Sequence, residues 1–365
     1  LGCDLHRSGD RVPVEAERHP GDHIAIIGEA PDVQDIEEGR PFVGPPGVEL
    51  QDALDLVGIG RSDCHLDNVI ACRPKGNDLP SYMLRLGRRN RKKRSKKEVE
   101  WATPHVPWDP DTEIQVAYTL HPSFVLRATK WRATFRHDVA KATRFFQGNL
   151  LWKDPDILWP QTPDEIREAL EDLRRDGRAV AYDVETDAKN PLEAKLRCLA
   201  FSNVSTAVVV PILSIDGVTR AFNQKDEAEV SDILRDFLTN PGVPLTGHNA
   251  GQYDRLVCEQ RLGVTPKLTA DTLLLHLLAN NEMPHNLGFV GSRYTDFTEA
   301  WKADHTAITA RTDKELHTYC AKDSCVTARV ARPLARVIQK RMQWPLLQKE
   351  HQLQDIGCKM QRLGM

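Results

Sequence analysis

The stretch Ala181-Tyr182-Asp183-Val184-Glu185-Thr186 reads as an apolar strand that ends in two carboxylates. Residues two apart in a β-strand point to the same face, so Asp183 and Glu185 project together while Val184 turns toward a core. Two like charges this close repel unless something positive lies between them, and hard divalent cations take oxygen ligands. The stretch therefore reads as half of a metal site. Taken alone, an Asp-x-Glu is more often a solvated strand end, so the rest of the chain has to decide.

Upstream, Thr162-Pro163-Asp164-Glu165 supplies an N-cap, a proline at the first helical position and a capping-box glutamate. Ile166, Ala169, Leu170 and Leu173 continue at helical spacing until Gly177. Downstream come strands over 197–202 and 206–212, then alternating helices and strands. Gly247-His248-Asn249-Ala250-Gly251-Gln252-Tyr253-Asp254 follows a short strand at 243–246. Tyr319 and Asp323 lie four apart in a helical stretch and so share a face. Asp271 reads either as a further acid of the site or as a helix N-cap.

In this order and spacing, these segments resemble the proofreading 3′–5′ exonucleases with four acidic residues and a motif-III tyrosine, the DEDDy type. The resemblance covers about residues 160–340 and implies an RNase H-like arrangement, antiparallel strands first and crossovers after. It implies that Asp183 bridges two divalent ions, Mg²⁺ or Mn²⁺, and that Glu185 and Asp323 complete the site that activates water. Asp254 would act through water on the second ion, and Tyr319 would orient the nucleophilic water. Thr186 and Asn249 would contact the substrate at its strand end. Phosphodiester hydrolysis needs a hydroxide, a clamp on the pentavalent phosphate and a stabilised leaving 3′-oxygen. Two ions about 3.5–4 Å apart can supply all three.

The first half alternates strands and helices, which implies a parallel sheet with its ligand site at the carboxyl ends of the strands. Strands are expected over 22–28, 65–71 and 114–119, and a helix carries Leu50, Leu54 and Val57 up to Gly58. The loop Gly28-Glu29-Ala30-Pro31-Asp32, then Asn68 and His121, fall at or near strand ends. Singly, Phe42 also reads as core, His121 as a satisfied loop histidine and Asn68 as a turn residue. Together GEAPD, GRPFVG, NVIACRP and LHPSFVLR, with the trailing Asp138-Val139-Ala140-Lys141-Ala142, resemble the uracil-DNA glycosylase superfamily, family 4, over about residues 1–148.

That resemblance implies that Phe42 stacks on a flipped uracil and Asn68 reads its Watson–Crick edge. His121 would hydrogen-bond the uracil oxygen as charge develops on the leaving base, and Glu29 or Asp35 would hold the attacking water or stabilise the sugar cation. The sequence departs from the family at Asp32, where glycine is usual, which puts a side chain and a negative charge where backbone meets DNA. Family 4 binds a 4Fe-4S iron–sulfur cluster through four cysteines. Cys3 and Cys72 match two, a third would fall just before Leu1, and the fourth has no match, so an intact cluster is not expected. In its place residues 85–97 are dominated by Lys and Arg, either a solvated insertion or a phosphate-binding one.

A length of 365 residues exceeds one typical core, and 40% apolar with 28% charged residues is ordinary for a soluble globular chain. No run of 18 apolar residues occurs, so no membrane partner is expected. The eight cysteines are too scattered for a disulfide framework, which fits a reducing cytoplasm, that of a bacterial host if the chain is phage-encoded. The expected fold class is α/β: a glycosylase-like three-layer αβα domain (1–150), a Pro-punctuated linker (151–161), an RNase H-like exonuclease domain (162–340) and a helical segment (341–365). In that last segment Leu353, Ile356, Met360 and Leu363 recur at helical spacing. It resembles the opening of the polymerase domain that follows the exonuclease in family A polymerases.

The chain starts at Leu1 and stops within a helical pattern, so it is expected to be the amino-terminal portion of a phage-like family A DNA polymerase, with the polymerase domain C-terminal. The expected function is a proofreading 3′–5′ exonuclease fused to a uracil-recognising domain. Its partners would be single-stranded 3′ ends, primer-template DNA and uracil-containing DNA. A stand-alone repair protein that excises uracil and trims ends, and a non-cleaving uracil reader joined to the exonuclease, are the alternatives.

Overall fold

The computed structural model describes residues 12–74, 101–102, 105–106, 109–113, 116–175, 177–297 and 310–364. Cys3 and the basic run 85–97 lie outside them. The chain divides into two compact units, Leu1–Leu150 and Leu151–Met365. Among the described residues no helix is long and apolar enough to cross a membrane.

In the first unit, strand β1 (Ile24–Gly28) leads to helix α1 (Val33–Glu38), helix α2 (Pro45–Asp55) and strand β2 (Cys64–Asn68). β1 and β2 pair in parallel, and the register sets Gly28 opposite Asn68, so both GEAPD and Asn68 emerge at the carboxyl end. Asp32 is the N-cap of α1. Its carboxylate accepts from Val33 N at 2.8 Å, and Asp35 returns the bond to Asp32 N at 3.1 Å, a capping box that engages the acid in place of the usual glycine. Leu50 and Leu54 of α2 pack with Leu66, Val125 and Phe135 in one core.

Beyond β2 come short strands β3 (Trp101–Ala102), β4 (His105–Val106), β5 (Asp109–Glu113) and β6 (Val116–Ala117), then helices α3 (Pro122–Arg127) and α4 (Arg132–Phe146). The strand expected over 114–119 appears as β6. Instead of joining the parallel pair, it lies antiparallel to β3. The physical reason is that both strands are two residues long, too short for an alternation that would specify a partner.

The second unit opens with strand β7 (Asp156–Leu158) and helix α5 (Pro163–Arg174), whose cap Thr162 accepts from Glu165 N at 3.3 Å. Strands β8 (Val180–Thr186), β9 (Leu196–Ser202) and β10 (Thr206–Pro211) follow as an antiparallel meander. Then come helix α6 (Gln224–Thr239), strand β11 (Leu245–Gly247), helix α7 (Tyr253–Leu262), strand β12 (Leu268–Asp271) and helices α8 (Thr272–Ala279) and α9 (Leu287–Tyr294). Helices α10 (Asp313–Lys340) and α11 (Trp344–Arg362) end the chain. The six strands form one sheet of order β12-β11-β8-β9-β10-β7. β7 arises within the Pro-punctuated stretch and pairs in parallel with β10 at the sheet edge, where prolines nearby are tolerated.

The alternation along β8 sorts its side chains to two layers. Tyr182 and Val184 enter a core with Ile166, Leu170 and Leu173 of α5 and Val230 and Leu234 of α6. On the other face, Leu316, Cys320 and Ala321 of α10 pack against Cys198, Ala200, Ala207 and Val209 of β9 and β10. Asp183 and Glu185 point to that second layer, at the carboxyl end of the central strand.

Candidate functional site

The acidic site of the second unit grows out of the short length of β11. β11 pairs with β8 only at Val180 and Ala181, so beyond that point one edge of β8 lacks a strand partner. Asp254, in the first turn of α7, fills the gap: its Oδ1 accepts the hydrogen bond of Val184 N at 3.2 Å. Asp254 thereby comes up beside the peptide that joins Asp183 to Glu185. It is buried, and burial raises its pKa to about 7, with the charges of Asp271 and Asp323 pushing in the same direction. Asp323 reaches the cluster from α10, buried at 4% exposure.

Cys320 ties α10 to the strand. Its thiol lies 3.5 Å from Asp183 Oδ2 and 3.6 Å from the Asp183 carbonyl oxygen. A carboxylate oxygen of Asp183, one of Glu185 and the Cys320 sulfur all lie within 4.8 Å of one another. Tyr319 precedes Cys320, one turn before Asp323 on the same face of α10. Thr186 is bonded at 2.5 Å to the Tyr253 hydroxyl, so its side chain is part of the wall between β8 and α7. The four acids thus come from β8, α7 and α10 to one end of the sheet. Asp183 and Glu185 form the tight group. Asp254 and Asp323 stand beside it.

Asn249 has φ +59°, a left-handed backbone uncommon outside glycine. What holds it there is Asp271. This fully buried carboxylate accepts Asn249 N at 2.9 Å, Gly251 N at 3.2 Å and Leu273 N at 2.9 Å. Asp271 is thus the N-cap of α8 and also the floor of the Asn249 loop. Burial raises its pKa, and the three N–H groups oppose that shift.

In the first unit, a Cβ on Gly28 would fall 2.4 Å from Asn68 Oδ1 and 2.7 Å from Phe42 Cζ, so both side chains close over bare backbone. Phe42 has φ +54° and is held from several directions. Asp35 accepts Val43 N at 3.0 Å, Arg61 Nη1 donates to Phe42 O at 3.0 Å, and Gly47 passes too close to Phe42 O for any side chain. Arg61 also donates to Pro41 O and pairs with Glu17 through two bonds of 2.9 and 2.8 Å. Burial works against ionised Glu17, but hydrogen bonds from Arg61, Arg40 and His19 hold its carboxyl well below the usual range.

His121 caps α3, and its ring lies 6.5 Å from that of Phe42, tilted by 32°. Its Nδ1 accepts the peptide N–H of Ser123 at 3.2 Å and lies 2.7 Å from the Ser123 hydroxyl. A peptide N–H can only donate, so Nδ1 is an acceptor and the proton of the neutral ring sits on Nε2. Burial lowers the His121 pKa, against the charges of Glu29 and Asp35, and so favours that neutral form. Glu29 is exposed beside this mouth, whereas both oxygens of buried Asp35 are taken by Asp32 N and Val43 N. Cys72 is half-buried, and Cys3, the other cysteine that the resemblance implies as a cluster ligand, lies outside the described residues.

Spacing alone pointed to most of these residues. It did not point to Cys320, Arg61 or Glu17, whose contacts cross the fold.

A family model described as 3′-5′ exonuclease matches residues 157–339, and one described as uracil DNA glycosylase superfamily matches residues 18–108. The type-4 uracil-DNA glycosylase of Pyrobaculum aerophilum is 30% identical over 182 residues, which covers 40% of this chain and 88% of that protein. That of Thermotoga maritima is 38% identical over 79 residues, covering 22% and 41%. Among solved structures, Escherichia coli RNase D, an exoribonuclease involved in structured RNA processing, aligns at 16% identity with a TM-score of 0.45. The alignment covers 56% of this chain, which spans half the length of that one.

Proposed function

The chain belongs to the uracil-DNA glycosylase superfamily in its first half and to the 3′–5′ exonuclease family in its second, and on that premise we propose that it is a proofreading DNA exonuclease joined to a uracil-recognising domain. The observation that carries the nuclease reading is Asp254 seated on the peptide between Asp183 and Glu185, with Cys320 of α10 seated on Asp183 from the other element. Exonucleases of this family use divalent metal, and the donor set fits it. Carboxylate oxygens dominate, and a buried Asp254 that holds its proton to about pH 7 marks a site short of positive charge.

Asp183, Glu185 and Asp323 would hold one ion, Asp183 with Asp254 the second, and Mg²⁺ or Mn²⁺ suits them. Bound there, the ions supply a water of lowered pKa and charge for the leaving oxygen. The protein's own part is positioning. Tyr319 on α10 orients the attacking water, Asn249 in its left-handed turn meets the 3′-terminal nucleotide, and Thr186 borders the strand end. Service to a family A polymerase is supported by α11, which leaves Leu353, Ile356 and Met360 exposed along the helix as a surface for further protein.

A second reading adds base excision, and His121 favours it. A neutral ring with its proton on Nε2, near Phe42 and Asn68, is a preorganised donor for a leaving uracil oxygen. Glu29, exposed beside the pocket, is then the group for the attacking water, and Asp35 holds the Phe42 loop.

A single-stranded oligonucleotide with one internal uracil tests both readings. With Mg²⁺ the strand should shorten from its 3′ end, and Asp183→Ala should abolish this. In EDTA only excision can proceed, read as alkali-sensitive cleavage at the uracil, and Asn68→Ala should remove it. A strand left intact with Mg²⁺ would overturn the nuclease reading. One left intact by alkali after EDTA treatment would remove the excision reading and leave a uracil reader.

A further inference from the structure

The exonuclease family match ends at residue 339, and helix α11 (Trp344–Arg362) lies beyond it. Yet α11 reaches the loop that carries Asn249. Leu347 seats the helix in the core formed with Leu274 and Leu275 of α8. Farther along, the buried Cys358 thiol donates to Gly251 O at 3.2 Å. The amide of Gln354 lies over the same residue: a Cβ on Gly251 would fall 2.2 Å from Gln354 Oε1. Arg255 of α7 donates to Asp355, and Arg362 pairs with Glu259 at 3.2 Å, so α11 is also pinned to the helix that carries Asp254.

Gly251 is therefore held from both sides. Asp271 takes its N–H from below, and Cys358 takes its carbonyl from above. Asn249 N–H goes to the same Asp271 carboxylate, so the loop from 249 to 251 has two fixed peptide groups and little freedom between them. A non-glycine residue in the left-handed region persists only when its surroundings over-determine it. Here part of those surroundings, the contacts of Cys358 and Gln354 with Gly251, comes from α11.

Resting on the reading of Asn249 as the residue that meets the 3′-terminal nucleotide, we propose that α11 is a positioning element of the exonuclease. Gln354 and Cys358 lock the Asn249 loop in its binding geometry, so affinity for the strand end depends on a helix that lies beyond the residues the exonuclease family model matches.

The test compares the full chain with its Gln354→Ala/Cys358→Ala variant on a 5′-labelled single-stranded oligonucleotide. KM should rise about tenfold, the loss of roughly one well-placed buried hydrogen bond. Meanwhile kcat and the Mg²⁺ concentration for half activity should stay within about twofold, because the variant leaves the Arg255–Asp355 and Arg362–Glu259 pairs in place on the helix that carries Asp254. Cys358→Ser, which keeps a donor toward Gly251 O, should restore most of the KM in the Gln354 wild-type background. An unchanged KM in the double variant, or a fall in kcat with KM held, overturns the proposal. If the double variant does not fold, Cys358→Ala alone decides on the same KM criterion, since it removes the thiol donor to Gly251 O and alanine suits a helix at that buried site. Absence of any Mg²⁺-dependent shortening by the wild type would instead remove the exonuclease reading, which keeps the two failures distinct.

Discussion

Asp254 makes the electrostatics of the site measurable at a single residue. Its folded-state pKa of about 7 lies above the ordinary aspartate value, so without metal the folded chain binds a proton that the unfolded chain releases. The stability this lends is fully present below about pH 4 and is lost as pH rises through about 7. In EDTA the melting temperature of the second unit should fall between about pH 4 and 7, and Asp254→Asn should flatten that slope. Equal slopes in the two proteins would mean that burial does not hold the proton. Asp271 offers a contrasting case, because its carboxylate satisfies three N–H groups. Asp271→Ala leaves all three without their acceptor, that of Gly251 buried, and should cost about 2 kcal/mol, read from urea unfolding. Residue spacing made Asp183, Glu185, Tyr319 and Asp323 legible, since strand and helix periods fix which side chains share a face. Asp271 stayed ambiguous between acid and cap because one carboxylate does both jobs of loop floor and cap. Cys320 was illegible: its significance lies in an Asp183 oxygen 137 positions away.

Among elements, the loop between α1 and α2 shows how an ion pair holds Phe42 in place. Glu17 is nearly enclosed and is gripped by Arg61, which also carries the Pro41 and Phe42 carbonyls. Arg40 grips the same carboxylate from a side chain that is 53% exposed. Without Arg61 the Glu17 carboxylate keeps Arg40 and His19, but the Pro41 and Phe42 carbonyls lose their donor and the Phe42 turn is freed, so Arg61→Ala should destabilise the first unit by about 2 kcal/mol. Arg40→Ala should cost about 0.5 kcal/mol, the scale of an exposed pair. Comparable losses in denaturant midpoints would show that Arg61 has no special part in holding Phe42. At this scale the sequence exposed what is local: the Thr162 cap, the Pro163 start of α5 and the alternation in β8 all follow from neighbouring residues. The pairing of β7 with β10 joins Asp156 to Thr206, far apart in the chain, and that of β6 with β3 joins two-residue strands too short to show an alternation.

Across the whole molecule, each unit has a core of its own. Leu50, Leu54, Leu66 and Phe135 pack in the first, and Tyr182, Phe201, Leu234 and Val257 in the second. Separate cores predict separate cooperative transitions in calorimetry. The acids of β8, α7 and α10 all belong to the second unit, so divalent metal should stabilise that one alone. At about 100 times its dissociation constant, an ion that binds only the folded state adds about 2.7 kcal/mol. Titrating Mg²⁺ should therefore raise one transition by several degrees and leave the other in place, while EDTA should reverse the shift. In Asp183→Ala the same titration should move neither transition, because the tight group of Asp183, Glu185 and Cys320 loses a carboxylate. Should Mg²⁺ raise both transitions, or raise one in the variant as much as in the wild type, the metal would be binding somewhere other than the site at Asp183.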